Sequence, residues 1–152
     1  MHTRTAVLAL TAILAVPALG QELTVRNASD DPTLSPVVYG DSVTRSMYVE
    51  MSDGVRLAVD IHHPARDGEA ETKPLPLVWT HHRYVRAREH NGRRFDTMMM
   101  PPAGALVERG YVVAAVDVRG GGASFGTYDG VFSPRETKDA VEIMNWFAEQ
   151  PW

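Results

Sequence analysis

Apolar and polar residues alternate along two adjacent stretches of the chain. Met47, Val49 and Met51 form the first, and Val55, Leu57, Val59 and Ile61 form the second. A period of two places every other side chain on one face of a strand. Between them stands Ser52-Asp53-Gly54, and Asp-Gly between two such runs is a strong hairpin signal. His62-His63-Pro64 is expected to end the second strand, and the polar stretch Ala65 to Thr72 reads as a loop.

From residue 75 the alternation stops. Leu75-Pro76-Leu77-Val78-Trp79 is continuously apolar, as is Tyr111 to Val118, the pattern of strands covered on both faces. Thr80 to Asp96 between them is polar and arginine-rich. Pro102 to Arg109 reads as a short helix, with proline in its first turn and Gly110 placed to end it. Strand, helix, strand with apolar strands predicts a parallel βαβ unit. The last element is a helix opened by Ser133-Pro134-Arg135-Glu136, a capping box with proline at the first helical position. Ala140, Ile143, Met144 and Phe147 fall at i, i+3, i+4 and i+7, one stripe for packing on a sheet.

The first twenty residues have a different character. His2 and Arg4 precede an apolar run from Ala6 to Val16, closed by Pro17-Ala18-Leu19-Gly20. Small residues at 18 and 20 suit signal peptidase cutting before Gln21. The run is shorter than the roughly 20 residues that span a bilayer, and an uncleaved anchor is the rival reading. The expectation is a periplasmic or secreted protein that leaves the membrane after cleavage. Residues 21–45, with prolines at 32 and 36, read as a lead-in arm to a domain over 46–152. Asn27-Ala28-Ser29 fits the glycosylation pattern, which matters only in a eukaryotic host.

Composition narrows the function. The 152 residues are 44% hydrophobic and 22% charged with a net charge of −4, typical of a globular protein and without the basic run that would draw it to nucleic acid. No cysteine is present, which excludes disulfides and thiolate metal sites.

Several motifs now resemble one family. Met51-Ser52-Asp53-Gly54-Val55-Arg56-Leu57 is similar to the opening hairpin of the cocaine esterase and Xaa-Pro dipeptidyl-peptidase group. Gly110-Tyr111-Val112-Val113 through Asp117-Val118-Arg119-Gly120 resembles that group's "GY-x-V…D-x-RG" segment, and Ser124-Phe125-Gly126-Thr127-Tyr128 its continuation. Glu136 to Trp152 resembles the helix before its nucleophile strand. The resemblance covers roughly residues 46 to 152. It implies the N-terminal part of an α/β-hydrolase sheet, an antiparallel hairpin followed by parallel βαβ, ending before the nucleophile strand. It further implies a Ser-Asp-His triad beyond residue 152, acting without a cofactor on a small ester, amide or X-Pro peptide substrate. This chain alone is then expected to be inactive.

The resemblance also implies one catalytic role within the chain. In the family a tyrosine in the loop after this strand offers its hydroxyl to the oxyanion, and here that residue is Tyr84. The family's "N/T-P-Y" is replaced by His81-His82-Arg83-Tyr84, without the proline and with one residue more.

Other candidates carry weaker signals. Gly122-Ala123-Ser124-Phe125-Gly126 satisfies G-x-S-x-G, but a nucleophile elbow needs a strand directly before the serine and a helix directly after. Val118 ends the strand too early and no helix begins until about Ser133, so Ser124 reads as a loop serine. His62, His63, His81, His82 and His90 suggest a metal, and a non-catalytic metal- or partner-binding module is the rival to the hydrolase. Adjacent histidines on a strand face opposite ways, however, and no H-E-x-x-H is present. Asp117 and Arg119 stand where ligands approach α/β sheets, yet they read as a buried ion pair holding the loop. Arg83, Arg86, Arg88, Arg93 and Arg94 could meet a substrate carboxylate, and otherwise form a solvated loop.

Overall fold

The computed structural model describes residues 34–96 and 103–152. The expected export signal (residues 1–20), the Asn27 acceptor and Pro102 lie outside them.

The hairpin forms around the Asp-Gly turn. Strands β1 (Asp41–Glu50) and β2 (Arg56–Arg66) pair antiparallel, with Met47 opposite Val59 and Val49 opposite Leu57. Gly54 takes φ +80°, which glycine adopts without steric cost, and its N–H donates to the Met51 carbonyl at 2.8 Å. Both strands run further than the alternation predicts. β1 begins within the expected lead-in arm, and β2 passes through His62-His63-Pro64 to Arg66. Proline there is tolerated because it lies opposite Ser42 near the end of the ladder. Asp67-Gly68 then turns the chain into β3 (Glu69–Ala70), which pairs back on β2 in the expected loop.

The apolar runs form the predicted parallel pair. β4 (Leu77–His82) and β7 (Val112–Asp117) lie in parallel register, with Trp79 beside Ala114 and His82 beside Asp117. α1 (Ala103–Val107) connects back to β7. The sheet order is β1-β2-β7-β4, with β7 antiparallel to β2. β7 is thus central and buried along its whole length. β4 has one described neighbour, so Val78 stays 38% exposed instead of covered on both faces. Within the polar stretch after β4, strands β5 (Ala87–His90) and β6 (Arg93–Asp96) make a separate small hairpin. Asn91-Gly92 between them is the strongest of turn dipeptides, a signal the sequence reading passed over.

The core lies between the sheet and α2 (Pro134–Ala148). Leu57, Val59, Ile61, Val112, Ala114 and Val116 meet Ile143 and Phe147 there. On the opposite face Val113 packs against Ala103 and Val107 of α1. The Ser133 cap is as expected, its hydroxyl accepting from the Glu136 N–H at 3.1 Å. Glu136 reaches back one residue beyond the usual box, accepting from the Phe132 N–H at 3.0 Å. The helix stripe differs from the expectation in one position. Met144 is 51% exposed, while Glu136 and Asp139 are buried on the sheet side. Those two acids continue the stripe of Ile143 and Phe147 and find cationic partners at the carboxyl end of the strands.

Candidate functional site

β4 and β7 end at the same level. Their last residues, His82 and Asp117, are neighbours in register, and the Val118 N–H donates to the His82 carbonyl at 3.1 Å. Two loops therefore leave the sheet side by side at its carboxyl end, where open α/β sheets bind ligands. One carries residues 83–86, and the other is the glycine-rich segment 119–126.

Tyr84 sits two residues beyond β4 and is 76% exposed. Before it, Arg83 donates to Glu136 Oε1 at 2.5 Å and lies 4.2 Å from the centre of the Phe132 ring, a cation–π distance. After it, the Arg86 N–H donates to Asp117 Oδ1 at 2.7 Å, and the guanidinium donates to Asp117 Oδ2. Arg86 Nε is also 2.9 Å from Asp60 Oδ2, close enough for an ion pair though poorly aimed for a hydrogen bond. Asp60 accepts in addition from Arg94 and, at 2.5 Å, from the Ser46 hydroxyl.

The arginine cluster is therefore no solvated loop. Arg83, Arg86 and Arg94 neutralise buried carboxylates, while Arg88 and Arg93 stay exposed. Burial opposes the charge on Arg94, but its bonds to Asp96 and Asp60 outweigh that and raise its pKa. A cavity of about 370 Å³ opens beside this network, walled by Arg86, Arg88, Arg94, Asp117, Gly122 and Ala123. The Tyr84 ring is not among its walls.

Asp117 and Arg119 do not pair with each other, contrary to the expectation. Asp117 is the last residue of β7, so strand alternation no longer sets the direction of the side chains beyond it, and Asp117 turns to Arg86 while Arg119 turns toward α2. Arg119 binds Asp139 with two nitrogens, at 2.8 and 2.6 Å, and reaches Asp53 of the hairpin turn at 3.0 Å. Hydrogen bonding to Asp139 raises its already high pKa. As partners of these arginines Asp60, Asp139 and Glu136 went unnoticed. Asp60 sits in the polar slot of a period-two pattern, but Glu136 and Asp139 fall seven and four residues before Ile143, on the buried stripe of the helix, and that spacing is the signal that could have found them.

Ser124 is locked in place. Its hydroxyl donates to the Asp117 carbonyl at 2.7 Å and accepts from the Ala58 N–H at 2.9 Å. It lies seven residues past β7, and α2 begins only at Pro134, so the elbow geometry is absent. The histidines are spread across the sheet. His62 and His63 are buried on opposite faces of β2, with His62 Nδ1 2.8 Å from the Thr44 hydroxyl. His81 faces α2 beside Trp79, and His90 is exposed at the end of β5. Among the described residues no three histidines or carboxylates converge at metal-ligand geometry.

Residues 53–152 match the family model of X-Pro dipeptidyl-peptidase (S15 family). The chain belongs to this family. Cocaine esterase from Rhodococcus is 32% identical over 117 residues, covering 73% of this chain and 17% of that protein. A Mycobacterium tuberculosis protein provisionally named a serine esterase is 36% identical over 120 residues, 70% of this chain and 18% of its own length. The chain thus spans under a fifth of the curated relatives it matches. A CocE/NonD family hydrolase from Staphylococcus aureus superposes with a TM-score of 0.55 at 28% identity, over 73% of this chain and 21% of that one. The S15 assignment covers Asp53, Asp60, β4, β7, both loops and α2, and so every carboxylate and arginine of the site just described.

Proposed function

We propose that the chain is the oxyanion-side, N-terminal part of an exported serine hydrolase that cleaves esters, amides or X-Pro peptides. The nucleophilic serine, the histidine that takes its proton and the aspartate that orients the histidine lie beyond residue 152. As the serine attacks the carbonyl, negative charge builds on the carbonyl oxygen. Tyr84 donates its hydroxyl hydrogen bond to that oxygen, beside the N–H that follows the nucleophile. The observation that carries this reading is the exposed Tyr84 at the shared carboxyl end of β4 and β7. The leader at residues 1–20 delivers the protein to the periplasm or medium.

The test is active-site labelling of the full-length protein with a fluorophosphonate. It should modify one serine downstream of Trp152, and modification of Ser124 would sink the reading. Tyr84→Phe should lower kcat by about 100- to 1,000-fold, the usual loss for one oxyanion donor.

A further inference from the structure

An oxyanion donor works because it is aimed before the charge develops and needs no rearrangement when it does. Tyr84 is on a loop and is exposed, so its aim depends on what holds the backbone beneath it. Two anchors do so, on opposite faces of the sheet. Arg83 leaves toward α2, where Glu136 binds it at 2.5 Å and Phe132 lies under its guanidinium. Arg86 leaves the other way, tied to Asp117 through both its N–H and its side chain, with Asp60 behind. Only Tyr84 and Val85 lie between the two fixed points.

The backbone shows the tension of this arrangement. Val85 has φ +67° and Phe132 has φ +56°, a left-handed conformation that β-branched and bulky residues rarely adopt. Such conformations persist where the surroundings over-determine them, and they cluster at functional sites. Here one strained residue follows Tyr84 directly, and the other is held between Arg83 and the Glu136 carboxylate that binds it.

We infer that Arg83 and Arg86 are positioning residues that clamp the Tyr84-Val85 turn from both sides and so aim the Tyr84 hydroxyl at the reacting carbonyl. This rests on Tyr84 being the oxyanion donor and adds how it is held. Neither arginine touches substrate in this role, since each is engaged by a carboxylate of the protein.

The experiment is a kinetic cycle in the full-length hydrolase with p-nitrophenyl acetate. Arg83→Gln should lower kcat about tenfold or more with KM unchanged, since small misplacements of a catalytic group are costly. Arg83→Lys, which keeps a cation for Glu136, should recover part of the loss. Arg86→Gln should behave like Arg83→Gln, and Arg86→Lys should likewise recover part of the loss. In a Tyr84→Phe background the same substitutions should have no further effect on kcat, because the group they aim is gone. Losses that multiply fully in that background, or a change in KM alone, would overturn the clamp while leaving the Tyr84 assignment intact. A Tyr84→Phe enzyme with unchanged kcat would overturn the donor reading itself, and the clamp with it. Should Arg83→Gln fail to fold, Glu136→Gln releases the same anchor from the other side and decides the question by the same cycle.

Discussion

The Asp117 carboxylate holds both the backbone and the side chain of Arg86, thirty-one residues earlier in the chain. Its second oxygen also accepts from the Ala123 N–H at 2.9 Å. One buried acid therefore ties the loop after β4 to the glycine-rich loop after β7. Asp117→Ala would leave Arg86 partly unpaired and two N–H groups without acceptors. Removing one member of a buried ion pair costs about 3–5 kcal/mol, and the urea midpoint of the full-length protein should fall accordingly. Asp117→Asn, whose single acceptor oxygen can still serve one of the two N–H groups, should cost less.

The glycine beside that carboxylate is as constrained. Gly122 has φ +53°, and a Cβ there would lie 2.2 Å from Asp117 Oδ2. Gly122→Ala must both strain the backbone and push the carboxylate off Arg86. The backbone term alone is about 1–3 kcal/mol, and the double variant with Asp117→Ala should lose less than the sum of the two single losses.

Ser124 offers a sharp separation of stability from chemistry. Ser124→Ala removes two hydrogen bonds that join β7 to β2 and leaves the Ala58 N–H without its acceptor. The expected cost is about 1–3 kcal/mol of stability, read as a lower melting temperature of the full-length protein, with the kcat of the proposed hydrolase retained. Loss of a true nucleophile costs about a million-fold in kcat, so even a crude assay distinguishes the two.

Much of the fold was legible because it depends on local chemistry. The Asp-Gly turn, the Ser133 cap and the two apolar runs each specify their element through a few adjacent residues. Strand length was not, since β2 extends through Pro64 only because Asp41 to Thr44 are there to pair with it. The site was half legible. Asp117 and Arg119 were picked out by position at a strand end and Tyr84 by the family resemblance, but the groups that hold them were not. Asp60 lies between Val59 and Ile61 in what reads as the solvent face of a hairpin. It is buried because Arg86 and Arg94 close over that face, a fact of long-range topology that a period of two cannot carry.

Burial sets the response to acid. His62, His63 and His81 all have pKa values held below the ordinary 6.5, chiefly by desolvation. Glu136 and Asp139 pull His81 upward, but burial prevails. The unfolded chain therefore binds more protons than the folded one just below pH 6.5, and stability falls as pH drops through that range. Asp53, Glu71 and Glu142 have lowered pKa values and lose their stabilising effect only at more acid pH. A melting temperature that declines between pH 7.5 and 5.5 thus reports the histidines. His81→Gln should flatten the decline, and an unchanged slope would remove His81 from the account.

The outer edge of β4 makes a prediction for the 152-residue chain by itself. Among the described strands β4 hydrogen-bonds only to β7, so the backbone groups along its other side have no strand partner. Val78 is 38% exposed on this strand, with Leu77 and Trp79 partly buried beside it. An unpaired apolar edge is a template for pairing with another chain, and an outward lysine is the usual way natural sheets blunt it. Light scattering should therefore show concentration-dependent association of the isolated chain, and Val78→Lys should suppress it without loss of far-UV circular dichroism. In the full-length hydrolase, where a further strand is proposed to cover this edge, the same lysine should lower the melting temperature instead. A monomeric 152-residue chain with a sharp cooperative melt would contradict the open edge.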